Sequence, residues 1–226
     1  QLLGLAGSYV QIMSENFPSL YGLGSSYGLG YIPGSWMESI QVSKGMGSVR
    51  NGYESITGQV NVEFKKPVES ESLYLNFYGS SSGKVEGNIN SSLELSERLS
   101  TAIFGHIEND FTVDDHNNDG FRDEPDISQY HLFNRWDYLT ETFTFRAGIK
   151  YMEEERVGGQ VAFNPDDDGF AGMNYGILID TERAEAFSKT GFIFPADRSM
   201  SLGWINNVII TSRNHFLEIK HIAGLR

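Results

Sequence analysis

The sequence contains no cysteine, and this absence excludes several classes of protein. A chain without thiols cannot be a disulfide-stapled domain, a Cys-ligated metal protein or a thiol enzyme. The sequence also lacks an apolar run of about 18 residues, so no transmembrane helix is predicted. Positive charge is scarce, with 17 Lys and Arg against 30 Asp and Glu. The resulting net charge of −13 argues against a nucleic-acid partner.

Aromatic residues are abundant, at 13% of the 226 positions, with 11 Tyr and 15 Phe. The mean hydropathy of −0.32 is typical of a soluble chain of one or two domains. A membrane β-barrel has the same average, because its strands alternate apolar and polar residues and carry aromatic girdles at both interfaces. A soluble β-sandwich is the alternative.

The first 35 residues are rich in Gly, Ser and Tyr. The opening Gln1-Leu2-Leu3-Gly4 lacks a basic start and a cleavage site, so no signal peptide is predicted. If the protein belongs to the cell envelope, we expect that residue 1 is not its true start. A short strand is predicted over 9–13, a turn over 15–18 and one helical turn over 32–37.

After Pro67 the hydrophobic pattern has a period of two. Between residues 84 and 95 the even positions are polar and the odd positions are uncharged. The odd positions of a second segment are Phe143, Phe145, Ala147, Ile149 and Tyr151. Such alternation predicts strands with one apolar and one wet face. Less regular strands are predicted over 72–79, 98–109, 129–139 and 200–211, and the weakest over 184–194 and 214–225.

The predicted strands are long, and their connections alternate in length. Several strands run about 10 to 12 residues, which suits a tilted strand crossing a bilayer. Short turns are predicted at 97, 140–141 and 195–198, and long loops at 110–127 and 154–182. Short turns on one side and long loops on the other are typical of outer-membrane barrels. The segment 212–214 breaks this scheme, because a long loop is due there and none is predicted.

A glycine-rich strand–turn–strand precedes this pattern, over residues 40–66. Gly45 and Gly47 allow the chain to reverse, and Gly58 allows another backbone to approach closely. A phosphate-binding loop is the alternative for Gly45-x-Gly47-x-x-x-x-Gly52. That alternative requires a following helix, whereas a strand is predicted here.

This segment resembles the C-terminal end of the plug domain of TonB-dependent outer-membrane receptors, in wording close to the Bacteroidetes version. The plug-motif residues are Ile40, Gly45, Gly47, Ser48, Gly52, Gly58 and Asn61. Three positions depart from the family pattern: Met46 replaces Pro, Asn51 replaces Tyr, and Ser55 replaces Ala. Upstream, residues 9–18 resemble an earlier plug strand. The motif covers about a quarter of the chain, and the remainder resembles the family only in its general pattern of alternating strands.

The resemblance implies an all-β fold, a membrane β-barrel of about 22 antiparallel strands with an α+β plug inside. Residues 1–66 would be the C-terminal part of the plug, and residues 67–226 the first strands of the barrel. Since this length has room for about eight strands, the chain would be a fragment of a longer receptor. Its function would be active uptake of a scarce solute across the bacterial outer membrane, driven by the TonB complex through a segment outside this chain.

The resemblance leaves the solute open among siderophore, haem, cobalamin, metal chelate, peptide and glycan. The long loops would help to shape its binding site, and a surface lipoprotein is a further candidate partner. No covalent chemistry is required. The sequence itself shows no nucleophile elbow, no Ser-His-Asp spacing and no paired catalytic carboxylates, so no enzyme is predicted.

An acidic segment at 115–126 predicts a calcium loop. Its candidate ligands are Asp115, Asn117, Asp119, Phe121 through its carbonyl, Asp123 and Asp126. Ca²⁺ requires six to eight hard oxygens, and Gly120 at position six permits the sharp turn. Position twelve is Asp rather than the usual bidentate Glu, and the flanks are strands, so this is not an EF-hand. A solvated loop with Asx turns is the alternative.

Other polar clusters predict less. Residues 164–169 have three adjacent Asp without alternate spacing, which favours a turn. The five His show no close ligand pair, although His106 and His131 fall on polar strand faces and would line the lumen. A solvated wall position is preferred for both over a haem or chelate ligand.

Three other functions remain open from the residues alone. A passive porin or adhesin-type barrel would not need residues 1–66. A soluble β-sandwich binding calcium or glycans would carry charge on its outer faces, whereas Phe143, Phe145, Ile149 and Tyr151 would point to lipid in a barrel. A secreted calcium-dependent hydrolase has no nameable catalytic group.

Overall fold

The computed structural model describes residues 9–20, 27–47, 55–165, 174–196 and 198–218. Within these ranges the chain forms two sheets and two short 3-10 turns, Gly34–Trp36 and Pro67–Glu69. No described helix has the length and apolar character needed to span a membrane. A strand was predicted over 9–13, a turn over 15–18 and a helical turn over 32–37. In the structure the first segment forms most of β1, the second is a turn that continues into a strand, and the third contains a 3-10 turn.

The first four strands form the small sheet, in the order β2-β1-β4-β3. They are β1 (Val10–Ser14), β2 (Phe17–Leu20), β3 (Met37–Lys44) and β4 (Gly58–Phe64). β1 and β4 pair in parallel, and the other two pairs are antiparallel. The prediction of a turn over 15–18 was wrong at Phe17 and Pro18, because Pro18 sits in β2, on the edge of the sheet, where its missing N–H is tolerated.

Seven antiparallel strands form the large sheet, which is an up-and-down meander from β5 to β11. They are β5 (Tyr74–Gly79), β6 (Lys84–Glu94), β7 (Leu99–Asp110), β8 (Asp126–Leu139), β9 (Phe143–Gly159), β10 (Gly176–Ile193) and β11 (Ser201–Glu218). The connections at 95–98, 140–142 and 194–200 lie at the turn end of the sheet. Those at 80–83, 111–125 and 160–175 lie at the loop end.

Two boundary predictions were wrong. The long loop predicted over 154–182 shrinks to 160–175, because β9 and β10 pair continuously up to Gly159 and Gly176. The break predicted at 212–214 does not exist, because β11 continues through it in register with β10 up to Glu218. Polar residues at the loop end of β11 interrupt the apolar pattern without interrupting the backbone hydrogen bonds.

The two faces of the large sheet differ as the alternation predicts. The inner face packs against the small sheet and buries polar as well as apolar side chains, including Asn88, Asn90 and Lys150. The outer face exposes a run of large apolar side chains. Among them are Leu75, Phe77, Ile89, Ile103, Leu132, Phe145, Ile149, Leu202, Trp204, Val208 and Ile210. A soluble sandwich would carry charge there, so this face weighs against that alternative.

Candidate functional site

The candidate site is the interface between the small sheet and the inner face of the large sheet. At its centre lies the two-residue turn between β1 and β2, in which Glu15 and Asn16 have φ of +55° and +64°. Hairpin turns that match strand twist need positive φ at both central residues, and Gly or Asn usually supplies it. Glu15 holds this conformation without being Gly or Asn, and its side chain is only 5% exposed. The turn therefore fixes a carboxylate inside the interface.

Two cations of the large sheet bind this carboxylate. The Nη1 of Arg135 on β8 donates to Glu15 Oε1 at 2.8 Å, and the Nζ of Lys189 on β10 donates to Oε2 at 2.7 Å. The backbone N–H of Phe64 donates to Oε1 at 3.0 Å. Both oxygens are thus satisfied, which a buried charge requires. We call Glu15, Arg135 and Lys189 the ionic latch.

Electrostatics keep Glu15 ionised. Burial alone would raise the pKa of the carboxyl, but the charges of Arg135 and Lys189, with the hydrogen bonds from Lys189 and Phe64, hold this pKa below its ordinary value. Opposite charges and donated hydrogen bonds both favour the charged form of a carboxyl group. Glu15 is therefore ionised at neutral pH.

Arg135 is itself held in place by the large sheet. It is 1% exposed, and its Nε donates to Asp137 Oδ1 at 3.0 Å. Its Nη1 also reaches the Phe64 carbonyl at 3.2 Å. A guanidinium with several fixed partners is a rigid fork rather than a flexible cation. Arg135 therefore recognises both a side chain and the backbone of the small sheet.

Further contacts tie the segment around the small sheet to β9, β10 and β11. Arg183 on β10 donates to the Ser19 carbonyl, and Arg213 on β11 donates to the Tyr31 hydroxyl. Arg156 on β9 lies 4.6 Å from the ring centroid of Tyr27. Burial, with the charge of Glu154 on β9, raises the pKa of Tyr31, so its hydroxyl stays protonated. The interface is thus lined with cations on the large-sheet side.

An aromatic cluster fills the other half of the interface. Trp36, from the 3-10 turn, is fully buried, with ring centroids of Phe64, Phe104 and Phe133 between 5.8 and 6.5 Å away. Phe104 and Phe133 come from β7 and β8, so the cluster joins both sheets. Ser35 beside it donates to Asn88 Oδ1 at 2.8 Å. Apolar burial and polar contacts therefore hold the two sheets together.

The two inner-face histidines lie under this cluster. His131 is 2% exposed, stands edge-on to Trp36 and has an Nδ1 with no hydrogen-bond partner. His106 contacts Asn88 Oδ1 through Nδ1 at 2.9 Å. The preferred expectation of solvated wall positions was therefore wrong, because Trp36 packs on His131 and the His131 ring packs on His106 at 5.2 Å. His221 and the side chain of His215 lie outside the described residues.

The predicted calcium ligands lie in the loop 111–125 and at the start of β8. Their side-chain oxygens accept backbone hydrogen bonds: Asp115 from Asp119 and Gly120, and Asn117 from Asp119. Asp123 accepts from His116, and Asp126 pairs with Arg122 at 2.9 Å. Within the described part of the chain, no group of three or more His, Cys, Asp or Glu is arranged as a metal site. Calcium binding here stays a prediction.

Arg122 connects this loop to the next one. Its guanidinium donates to the carbonyls of Gln160 and Phe163 at 2.7 and 3.0 Å, and Phe121 forms an isolated bridge with Gln160. Phe163 is 1% exposed. The two long connections at the loop end therefore form one packed unit. Residues 166–169, predicted as an acidic turn, lie outside the described residues.

The described plug-motif residues lie on β3, on β4 and just after β3. Gly45 has a φ of +95° and donates to the Thr57 carbonyl at 2.9 Å, and Gly47 donates to the Ser55 carbonyl at 3.2 Å. The antiparallel pairing therefore continues as far as Gly47, and the predicted reversal at Gly45 is wrong. Ile40 is 54% exposed on the edge strand β3, and Asn61 on β4 accepts a hydrogen bond from the Asn16 N–H. Ser48 and Gly52 lie outside the described residues.

The ionic latch was missed by sequence reasoning. Arg135 and Lys189 each fall within a predicted strand, and Glu15 in a predicted turn, but nothing in the sequence pairs them. The one available signal was a charged residue at an inward position of an alternating strand. An inward charge requires a partner, so it indicates a buried contact without identifying it.

We compared this arrangement of two sheets with known proteins. No protein-family model and no curated protein matches the chain. Among solved structures, the siderophore receptor PirA from Pseudomonas aeruginosa matches with a TM-score of 0.64 at 14% identity, covering 95% of this chain and 35% of that chain. P. aeruginosa FpvA, bound to pyoverdines, matches with a TM-score of 0.59 at 15% identity, covering 90% and 27%. The P. aeruginosa ferric enterobactin receptor PfeA matches with 0.52 at 14%, covering 93% and 39%.

These similarities establish the fold and its extent. PirA and PfeA are receptors, and this chain spans between about a quarter and two fifths of the lengths of the three similar proteins. At these identities the likeness concerns the fold alone. The predicted fold class is confirmed: the chain is all-β, and its antiparallel meander with the small sheet packed on the inner face has the fold of part of the siderophore receptor PirA.

Proposed function

We propose that this chain is part of a TonB-dependent receptor of the bacterial outer membrane, of the Bacteroidetes type. Residues 1–66 form the C-terminal part of its plug, and residues 67–226 form the first barrel strands of a longer protein. The receptor takes up a scarce solute, with a siderophore, haem or cobalamin as candidates. Its partners are the TonB complex, reached through a segment outside this chain, and outer-membrane lipid.

The observation that carries this proposal is the ionic latch. Glu15 of the small sheet is locked between Arg135 and Lys189 of the large sheet, on the face opposite the exposed apolar side chains. A passive barrel needs no second sheet fastened inside its wall. Ion pairs between the small and the large sheet would hold a plug in place until energy is supplied to break them.

The outer face supports the membrane position. Every outward side chain of β9 between Phe143 and Tyr151 is apolar. This stretch is nine residues long, about the length of a bilayer-crossing strand. Tyr130 and Tyr151 then pack with ring centroids 6.1 Å apart, and both hydroxyls donate to Glu153. Tyrosines with an apolar body and a wet hydroxyl are typical of the membrane interface. The loop end above them would face the cell exterior.

Energy-dependent exposure of the interface tests this function. Because the chain has no cysteine, Ser35→Cys supplies a single reporter in this region, beside Asn88 in the interface. The full-length protein carrying this sequence is expressed in cells, which are treated with a membrane-impermeant maleimide. We expect labelling at position 35 to rise in energised cells and to fall with an uncoupler or without TonB.

A matched control separates plug movement from general exposure. The control variant is Ser81→Cys, because Ser81 lies in the exposed turn 80–83 at the loop end. Its labelling is expected to be equal with and without energy. If labelling of Ser35→Cys is also independent of TonB and of the uncoupler, the protein is a passive barrel and the proposed function is wrong.

A further inference from the structure

The inner face of β8 to β11 carries a cation at each of six successive levels. A level is a row of residues that pair across the four strands, as Arg135, Gly148, Phe187 and Asn207 do. From the loop end to the turn end, the cations are Arg156, Arg213, Arg183, Lys150, Arg135 and, at the last level, both Arg146 and Lys189. Levels lie two residues apart, so this cation ladder extends about 30 Å along the strands.

The ladder has an excess of positive charge. The same face of the four strands carries only three carboxylates among the described side chains, Glu154, Glu185 and Asp137. Seven cations against three carboxylates leave an excess of four positive charges. The whole chain has a net charge of −13, so the ladder does not follow from composition.

The small sheet and its flanking residues cover most of the ladder. Arg135 and Lys189 bind Glu15 of the turn, Arg183 donates to the Ser19 carbonyl, and Arg213 donates to Tyr31. Two further cations lie over rings of this segment, Arg156 over Tyr27 at 4.6 Å and Lys150 over Phe64 at 5.8 Å. Six of the seven cations therefore lose a partner when this segment moves away.

Exposed cations that outnumber the carboxylates on the same face attract anions. A row of positive charge on a low-dielectric wall focuses the field and concentrates counter-ions in the space beside it. Arg supplies four of the six levels alone, and its planar fork matches carboxylate and phosphate oxygens. When the plug is displaced, the cations that bound it thus become available to bind oxyanions.

We propose that the cation ladder is the translocation track for the solute, and that the solute is an anion that presents several carboxylate or similar acidic oxygens. The inference rests on the proposed function, because it requires a plug that moves. It favours anionic chelates over neutral glycans and cationic peptides among the candidate solutes. The ladder also explains why the plug presents a carboxylate at Glu15, which occupies the track while the receptor is closed.

Two ladder positions can be changed without leaving an unpaired wall charge. Arg213 donates to the hydroxyls of Thr181 and Tyr31 and lies 5.9 Å from the ring centroid of Tyr27, and no ion pair joins it to a described carboxylate. Glu185, which pairs with Arg183, keeps Lys150 at 3.0 Å. The test variant is Arg183→Gln/Arg213→Gln. Arg183→Lys/Arg213→Lys retains the charge at both positions. Arg198→Gln removes one charge at the exposed turn end and is the control.

The experiment measures ion selectivity in planar bilayers. The full-length protein carrying this sequence is reconstituted, and urea is added on the loop side to displace the plug while the barrel strands stay paired. In a KCl gradient, the chloride-to-potassium permeability ratio of the double Gln variant is expected to fall roughly tenfold below that of the parent. The Lys variant and Arg198→Gln are expected to keep the parental ratio.

Citrate is the probe for a multivalent oxyanion. Added from the loop side to the urea-opened pore, it should block the current of the parent and of the Lys variant. We expect the double Gln variant to need roughly tenfold more citrate for the same block. An equal ratio and an equal block in parent and double Gln variant would overturn the track.

The two proposals fail in different ways. If urea opens a pore but the Gln substitutions change neither selectivity nor block, only the anionic track is wrong. If the reconstituted protein gives no urea-dependent current, there is no plugged pore, and the proposed function is wrong with it. If the Lys variant behaves like the Gln variant, the residues act through shape rather than charge, and the track is again wrong.

Discussion

Glu15 and Arg135 lie 120 positions apart in the chain, yet Arg135 Nη1 donates to Glu15 Oε1 at 2.8 Å with both side chains almost fully buried. The carboxylate comes from a turn with positive φ, and the guanidinium from the middle of a wall strand. This contact joins the small sheet to the large one at a point shielded from solvent. It is therefore the place at which docking of the small sheet can be weakened by a single substitution.

Glu15→Gln is expected to destabilise this docking. The amide keeps the shape of the side chain but removes the charge that faces Lys189 and one of the two carboxylates that face Arg135, which costs about 3 kcal/mol. In the full-length protein, the urea midpoint for proteolysis of the small sheet should fall. Glu63→Gln is the control, because the side chain of Glu63 accepts an exposed hydrogen bond from Asn16 at 3.4 Å, and its effect should stay within about 0.5 kcal/mol. Equal midpoints for Glu15→Gln and the parent would contradict the latch.

The pH dependence of docking follows from the lowered pKa of Glu15. A carboxyl whose pKa is lower in the folded state stabilises that state above its unfolded value of 4.5, and the stabilisation is lost as pH falls through the folded value. The urea midpoint should therefore decrease below about pH 4.5, and this decrease should be smaller in Glu15→Gln. A decrease that is complete between pH 7 and pH 5, or one that is unchanged in the variant, would rule out Glu15 as its cause.

Gly148 marks a tight contact on the inner face. A Cβ at this position would lie 2.6 Å from Phe187 and 2.7 Å from Phe133, so Gly148→Ala overpacks the region beneath the aromatic cluster. We expect it to lower the free energy of unfolding by about 1 to 3 kcal/mol. Gly203→Ala is the matched strand control, because its Cβ meets nothing within 4 Å. Indistinguishable thermal unfolding of the two variants would show that this packing is wrong.

Calcium binding by the loop 111–125 is tested by calorimetry. If the predicted ligands bind, the calcium-free full-length protein should take up Ca²⁺ at or below millimolar concentration, and Asp115→Ala/Asp119→Ala should abolish one site. Glu141→Gln, with a side chain 90% exposed in a turn at the other end of the sheet, should leave the heat unchanged. Absence of Ca²⁺ uptake by the parent would leave the Asx-turn alternative, in which these oxygens serve only the backbone.

Strand positions could be predicted where both faces are distinct. β6, and β9 as far as Tyr151, keep charged residues off their outer positions and alternate regularly, so these stretches were recognised. The start of β10 was missed because its outer residues Asp180 and Glu182 are charged, whereas its inner residues begin with Ile177 and Ile179. Where apolar residues are not confined to one outer face, the period of two is lost from the sequence although the pairing continues.

The interface could not be predicted for a different reason. Lys189 and Glu15 are 174 positions apart, and their meeting depends on how the small sheet is seated on the large one. A sequence shows that an inward Lys must have a partner but not which carboxylate supplies it. The histidines show the same limit: alternation placed His106 and His131 on the inner face, but their burial depends on Trp36 packing on His131 and on the two rings packing on each other.

The central claim is that the outer face of the large sheet contacts hydrocarbon, and brominated lipid tests it most directly. Trp136 and Trp204 are 39% and 66% exposed on that face, whereas Trp36 is fully buried in the interface. In vesicles with brominated acyl chains, the full-length protein should lose a quenchable component of its fluorescence on Trp136→Phe or Trp204→Phe, and none on Trp36→Phe. Equal quenching of the parent and the Trp136→Phe/Trp204→Phe variant would contradict the membrane barrel.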